Sequence, residues 1–276
     1  MRKMTLQEIQ TVNLELMKDI HAFCVKNNIH YSLAYGSLIG AVRHKGFIPW
    51  DDDIDIMMPR PDFERFSHEY KSEKGYRLSS VYDNDTYINY TRVYDNKTLV
   101  VCPAKAAKQD IGVWIDIYPI DGISDDESES TKQFQRLRHY TGLVMRWRKY
   151  LHCLSKDSIS LKAKAYIRLA QLWLANKGTF AFWHRQICLI CCEQQFGTTQ
   201  RCSSLVCMEA NRDNRQEVFP TSDFLQFQLM PFEDQQFYVA SGYDNILTTI
   251  FGNYMQIPPK DKQVSHIIHL WDFYWT

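Results

Sequence analysis

The chain reads as an α/β (α+β) protein, a mixed sheet core flanked by helices and interrupted by a helical insertion. Three observations predict this class. The first is an opening segment with helical apolar spacing. The second is a set of β-type stretches in the first half, two of which, "DIDIMM" (53–58) and "GVWIDIYP" (112–119), alternate strictly. The third is a switch, from about residue 124 to 205, to helix-forming sequence rich in long and basic side chains. The expected organisation is one domain spanning 1–276, with its core from 1–123 and 206–276 and the insertion at 124–205.

Leu6, Ile9, Leu16, Ile20 and Phe23 recur at helical spacing and predict an amphipathic first helix. "HYSLAYG" reads as a strand ending at Gly36-Ser37, "SLIGAVRH" as a short helix or turn, and "KGFIPW" as a loop stiffened by Pro49. In "DIDIMM" Asp53, Asp55 and Met57 face one way and Ile54, Ile56 and Met58 the other. Pro59 and Pro61 stop that strand, and Pro61 with Asp62 and Glu64 suits a helix start. Further strands are expected at "YRLSSVY", "YINYTRVY", "TLVVC" and "GVWIDIYP", the last placing Trp114, Asp116 and Tyr118 on one face.

Composition narrows the class. At 276 residues, with 45% hydrophobic side chains, the chain can bury a substantial core. A formal net charge of zero argues against a dedicated nucleic-acid binder. The first twenty residues hold no unbroken apolar run, so neither a signal peptide nor a membrane anchor is expected there. Eight cysteines without such a signal read as cytoplasmic thiols, and a cytoplasmic location is expected. Charge is uneven: residues 132–168 carry ten Lys or Arg against the single acid Asp157. Within that stretch "RLRHYTGLVMRWRKYLHC" interleaves cations with apolar residues. It reads either as an amphipathic helix touching the membrane periphery or as a basic face packed on the acidic core.

The chemistry concentrates in "WDDDIDIMMP". Asp53 and Asp55 are two apart on a strand and project from one face, and Asp116 is a lone acid on another apolar strand. Carboxylates converging from two strands make a hard-oxygen site for Mg²⁺ or Mn²⁺, able to neutralise a diphosphate. Gly36-Ser37 sits upstream at a strand-to-helix turn, where backbone N–H groups can meet a phosphate. Two other readings compete. A solvated acidic turn leaves the alternation unexplained, and a calcium loop would want Gly where Ile56 stands and Glu where Asp62 stands.

The long motif "YGSLIGAVRHKGFIPWDDDIDIMMPRPDFERF" resembles the signature of the LicD family, phosphocholine transferases of the nucleotidyltransferase superfamily related to fukutin-related protein. The resemblance continues in "RVYDNKT", "GVWIDIYPIDGI" and "YDNILTTIFGNYMQIPPKDKQVSH". It implies a nucleotidyltransferase-like fold, a divalent metal, and transfer of a phosphorylated alcohol from a CDP-linked donor to a glycan hydroxyl. Asp53, Asp55 and Asp116 match the metal-binding carboxylates, with Asp51 and Asp52 in the same motif, and Gly36 and Ser37 match the phosphate turn. Asp116 is also the expected base. Arg43, His44, Lys45 and Arg92 are the expected donor contacts, although the first three read equally as solvated loop cations.

A quaternary ammonium would be held by aromatic faces; Trp50, Trp114, Tyr118, Tyr254, Trp271, Tyr274 and Trp275 are available. Cys188, Cys191, Cys192, Cys202 and Cys207 allow a zinc site, but the first three also follow the buried stripe of a helix. His266 and His269 stand as further residues within reach of a site. Two other functions remain open: nucleotidyl transfer from a nucleoside triphosphate, and non-catalytic binding of metal and nucleotide.

Overall fold

A computed structural model describes residues 1–80, 82, 88–101, 111–155, 160–207, 217–265 and 271–276. After a short strand β1 (Arg2–Lys3), helix α1 (Leu6–Asn27) starts where Thr5 and Glu8 form a reciprocal capping box, and stops at Asn28, which adopts the left-handed conformation. Strand β2 (Ser32–Leu33) leads into α2 (Tyr35–Ile39) and a widened turn over Gly40–His44. Then follow β3 (Asp55–Pro59), α3 (Arg60–Glu69), β4 (Arg77–Ser79), β5 (Thr91–Tyr94), β6 (Thr98–Val101) and the long β7 (Trp114–Ile123). Helices α4 (Glu127–Ser155), α5 (Leu161–Ala175) and α6 (Phe180–Cys191) fall in the stretch expected as an insertion, 124–205, whose end also carries a sheet strand. The chain closes with β8 (Arg201–Ser203), β9 (Phe219–Pro220), β10 (Phe227–Phe232), β11 (Gln235–Ala240), α7 (Tyr243–Phe251) and β12 (Asp272–Trp275).

The central sheet runs β2-β3-β7-β5-β4, and β8 with β9 extends the far half of β7. It is mixed: β3 and β7 are parallel, while β5 runs against β7 and β2 against β3. Its buried side chains, among them Ile54, Ile56, Met58, Ile115 and Ile117, join Ile9, Leu16 and Ile20 of α1 and Phe63 and Phe66 of α3 in one core. The alternation seen in "DIDIMM" thus points Ile54, Ile56 and Met58 inward as expected.

Several expected elements are shorter or displaced. "HYSLAYG" is a strand only over Ser32–Leu33, because the chain turns into α2 at Tyr35. "YINYTRVY" is a strand only over Thr91–Tyr94 within the described residues. The hairpin β10-β11 was not expected; its tight turn lies at Glu233-Asp234, with Glu233 at φ +53°, and no Asn-Gly or Asp-Gly pair marks it.

The insertion has its own core, in which Phe134, Leu137, Leu143 and Val144 of α4 meet Trp183, Ile187, Ile190 and Cys191 of α6. Within "RLRHYTGLVMRWRKYLHC", Leu137, Leu143 and Val144 are spent on that core, while Met145 stays exposed. Cys191 lies in that core, Cys202 on β8 and Cys207 beside the cavity described below. Of the expected stripe only Cys191 is buried, Cys188 being half-buried and Cys192 exposed, and among the described residues no cysteine group has the closeness a metal requires.

One ion pair ties the helix layer to the sheet. The Arg60 guanidinium, at the start of α3, donates to both oxygens of Asp121 on β7, at 2.6 and 2.9 Å, and Asp121 is 1% exposed. Removing only the cation strands a buried charge, which costs about 3–5 kcal/mol. Arg60→Ala is therefore expected to lower stability by that amount in denaturant unfolding. The pair of changes Arg60→Met and Asp121→Leu should recover most of it; a single-variant loss below about 1 kcal/mol would refute this role.

Candidate active site

The site is built on one row of register partners. Arg92 on β5 lies opposite Asp116 on β7, and Asp116 lies beside Asp55 on β3. Partners in register project from the same face, so a guanidinium and two carboxylates line up across three strands. Arg92 donates to both oxygens of Asp116, at 2.5 and 3.3 Å, and its guanidinium stacks on Trp114 and Tyr90 at 4.7 and 5.4 Å. Asp116 holds the Arg92 pKa above its ordinary value.

The acidic loop before β3 is held from behind by α1. Gln10 Nε2 donates to the carbonyl of Asp51 at 2.8 Å, and Asn13 Nδ2 to that of Asp52 at 2.9 Å. From the other side, the backbone N–H of Asp55 donates to Ser37 Oγ at 2.9 Å, locking α2 onto β3. Ser37 therefore acts through the backbone that carries Asp55. Gly36 is needed for space: a Cβ there would sit 2.5 Å from Asp51 Oδ2. Tyr35 adopts φ +46°, an uncommon conformation for a bulky residue, at the junction where β2 becomes α2.

Burial and mutual repulsion dominate the electrostatics. Burial, then the charge of Asp52, pushes the Asp51 carboxyl up to about 6, although a hydrogen bond with Asp53 works the other way. Asp55 is raised well above the carboxylate range, first by burial and then by Asp53, Asp116 and Asp51, with Arg92 as a partial offset. Asp51, Asp52 and Asp53 offer oxygens that all lie within 4.8 Å of one another. A hard-oxygen donor set in mutual repulsion fits Mg²⁺ or Mn²⁺. This trio was not the one expected, which was Asp53, Asp55 and Asp116; Asp53 is common to both, and Asp116 is shared with Arg92.

These groups open onto a cavity of about 790 Å³. Gly36, Asp51, Asp53, Asp55 and Arg92 line it, as do the aromatic side chains Tyr35, Trp50, Tyr90, Tyr118 and Trp271. Asp116 lies next to this lining, bonded to Arg92 and 3.4 Å from the Tyr118 hydroxyl, which donates to it. The cavity's other cations are Arg148 from α4 and Lys262. Neither was singled out in the sequence, where Arg148 is one of many insertion cations.

Arg43, His44 and Lys45 do not line this cavity. Arg43 donates to the carbonyls of Tyr254 and Gln256, at 2.7 and 3.3 Å, and so secures the segment after α7. The Lys45 ammonium bonds the Val42 carbonyl, and the His44 ring meets Trp50 edge-on. Of the expected aromatics, Trp50, Tyr118 and Trp271 line the cavity, whereas Trp114 packs behind Arg92, and Tyr254, Tyr274 and Trp275 lie outside the lining. His266 and His269 lie outside the described residues. Two missed features had a signal: Asn13 is a polar residue at a buried position of the α1 stripe, and Tyr90 stands two before Arg92.

Carboxylates and cations gathered around an aromatic-walled cavity on the central strands of a mixed sheet define an enzyme that handles phosphate esters. Residues 28–155 match the family model described as LicD/FKTN/FKRP, nucleotidyltransferase domain. The chain is 30% identical to the lipopolysaccharide cholinephosphotransferase LicD of Haemophilus influenzae, over 97% of this chain and 98% of that protein. The chain belongs to the LicD family and is a phosphotransferase of that type. An uncharacterised protein of Rickettsia typhi is 32% identical over 44% of this chain and 38% of its own length. One of Rickettsia prowazekii is 40% identical over 23% of this chain and 28% of its own length.

Two outcomes test this geometry. Because the folded pKa of Asp51 is raised above its unfolded value, the metal-free folded state binds the extra proton, and stability falls as pH rises from about 4 through about 6. Calorimetric melting of the metal-free protein should show that decline, and Asp51→Asn should flatten it; an unchanged profile in the variant would contradict the assignment. Gly36→Ala should leave the protein folded yet displace Asp51, reducing the rise in Tm produced by Mn²⁺ at pH 7.5. An undiminished rise would show that Asp51 and Gly36 need not touch.

Proposed function

We propose that the protein transfers phosphocholine from CDP-choline to a hydroxyl of a cell-surface glycan, a lipopolysaccharide or related polymer, and releases CMP. The acceptor oxygen forms a bond to the phosphorus bearing choline, and the bond from that phosphorus to the bridging diphosphate oxygen breaks. The observation that carries this reading is the row Arg92–Asp116–Asp55 beside Asp53, at the wall of a cavity that is both aromatic and cationic. The named activity of the Haemophilus relative supports the choice of choline and of lipopolysaccharide.

Asp53 and Asp55, with Asp116 or the neighbouring Asp51 and Asp52, would hold Mg²⁺ or Mn²⁺, which when bound neutralises the diphosphate and the charge on the departing phosphate. Arg92, Arg148 and Lys262 supply the charge that draws the donor phosphates into the cavity. Arg92 has a second role. It covers both oxygens of Asp116 until a diphosphate competes for the guanidinium, and the freed Asp116 then takes the proton of the acceptor hydroxyl. Tyr35, Tyr90 and Tyr118 form a contiguous group, with ring centroids 5.8 and 4.7 Å apart along the chain of contacts, suited to a quaternary ammonium. The Tyr35 hydroxyl donates to Glu217, which places an anion at the same wall.

The alternative chemistry, nucleotidyl transfer from a triphosphate, would use the same carboxylates but release pyrophosphate. Purified protein should be incubated with Mg²⁺ and a glycan extract, with CDP-choline, CDP-ethanolamine, CDP-glycerol or CDP-ribitol in parallel with CTP, ATP and UTP. The expected result is acceptor-dependent CMP release, fastest with CDP-choline. Asp53→Asn, Asp55→Asn and Asp116→Asn should each reduce turnover by at least ~10²–10³. Pyrophosphate release with every CDP-alcohol inert would establish nucleotidyl transfer instead.

A further inference from the structure

Helix α5 wears its apolar residues outward. Leu161 is 85% exposed, Tyr166 74%, Leu169 62%, Leu172 64% and Trp173 55%, whereas only Gln171 and Leu174 are buried. At 100° per residue Tyr166, Leu169, Leu172 and Trp173 fall within an arc of roughly 120°, a continuous stripe along more than two turns. Exposed side chains of this size are normally scattered, so a stripe on one helix marks a contact surface.

The surroundings indicate what that surface meets. Between Lys132 and Cys192 there are twelve Lys or Arg and one acid, Asp157. Lys162, Arg168 and Lys177 flank the stripe, and the Lys177 ammonium lies 5.2 Å from the Trp173 ring centre. An aromatic paired with a cation at the end of a basic amphipathic helix suits the boundary between lipid headgroups and acyl chains. A protein partner would need a matched acidic groove; an anionic bilayer supplies the charge everywhere. No helix among the described residues is long and apolar enough to cross a membrane, so contact through α5 would be along the surface.

We propose that α5 docks the protein on anionic phospholipid, with Tyr166, Leu169, Leu172 and Trp173 entering the interface and Lys162, Arg168 and Lys177 meeting the headgroups. The placement has a use. Helix α5 packs along α4, and Thr141, Val144, Met145 and Arg148 of α4 line the cavity, so docking holds the cavity near acceptors carried on lipid. The docking proposal stands apart from the choice of donor, because vesicle binding requires neither donor nor acceptor.

The test is co-sedimentation of the full chain with vesicles of phosphatidylcholine alone or mixed with phosphatidylglycerol. Binding to the mixed vesicles is expected, stronger at low salt and weakened but not abolished as salt rises. The double variant Leu169→Glu, Trp173→Glu should lose at least ~10-fold in affinity while its melting curve is unchanged, since both residues are exposed. Leu229→Glu, at another exposed apolar site, on β10, should bind as the parent does. The proposal is overturned if the parent ignores both vesicles or if the double variant binds undiminished. It is equally overturned if sedimentation equilibrium shows a parent dimer that the double variant abolishes, since the stripe would then face a second copy.

Discussion

Mutual repulsion among closely spaced carboxylates is the constraint around which the rest of this molecule is arranged. Asp51 and Asp52 are buried and Asp53, Asp55 and Asp116 half-buried beside them, and a chain left to itself would separate them. The fold holds them by means other than charge. Backbone carbonyls of the loop are gripped by Gln10 and Asn13, the strand that follows is pinned by Ser37, and the parallel β3–β7 register fixes Asp55 against Asp116. Arg92 is the one built-in cation in the row. An arrangement of this kind stores a preference for positive charge, which a divalent ion can satisfy.

The supporting parts are explained by the same need. Gly36 leaves room for the Asp51 carboxylate, and the β10-β11 hairpin buttresses the loop that leads to it: Glu233 Oε1 accepts from the Phe47 N–H at 2.9 Å, and its own N–H donates to the Lys45 carbonyl at 2.8 Å. Arg43 anchors the segment after α7, from which Lys262 reaches the cavity. The insertion closes another side through Arg148 and its neighbours on α4. Residues far apart in the chain thus converge because the sheet places β3, β5 and β7 side by side.

How much of this was legible in the sequence depended on whether the signal was local. Strict alternation in "DIDIMM" and "GVWIDIYP" marked both strands and the acids on them, because period-two patterning is written in adjacent residues. The mixed α/β class and the helical character of the stretch holding α4, α5 and α6 followed from similar local patterns. The pairing of Arg92 with Asp116 was not legible, since it depends on register between strands more than twenty residues apart. Arg43, His44 and Lys45 were near the acids in sequence, yet the turn after α2 carries them away from the cavity lining. The outward face of α5 also escaped notice, because periodicity reports an apolar face without saying whether anything covers it.

The acidic row is proposed as a divalent-cation site. Crystals grown with Mn²⁺ and a CDP-alcohol, measured at a wavelength where manganese scatters anomalously, locate the ion without reference to activity. A peak is expected about 2.1 Å from carboxylate oxygens of Asp53 and Asp55, with the donor phosphates on its open side. A peak elsewhere, or none there with Mn²⁺ saturating and donor bound, would contradict it.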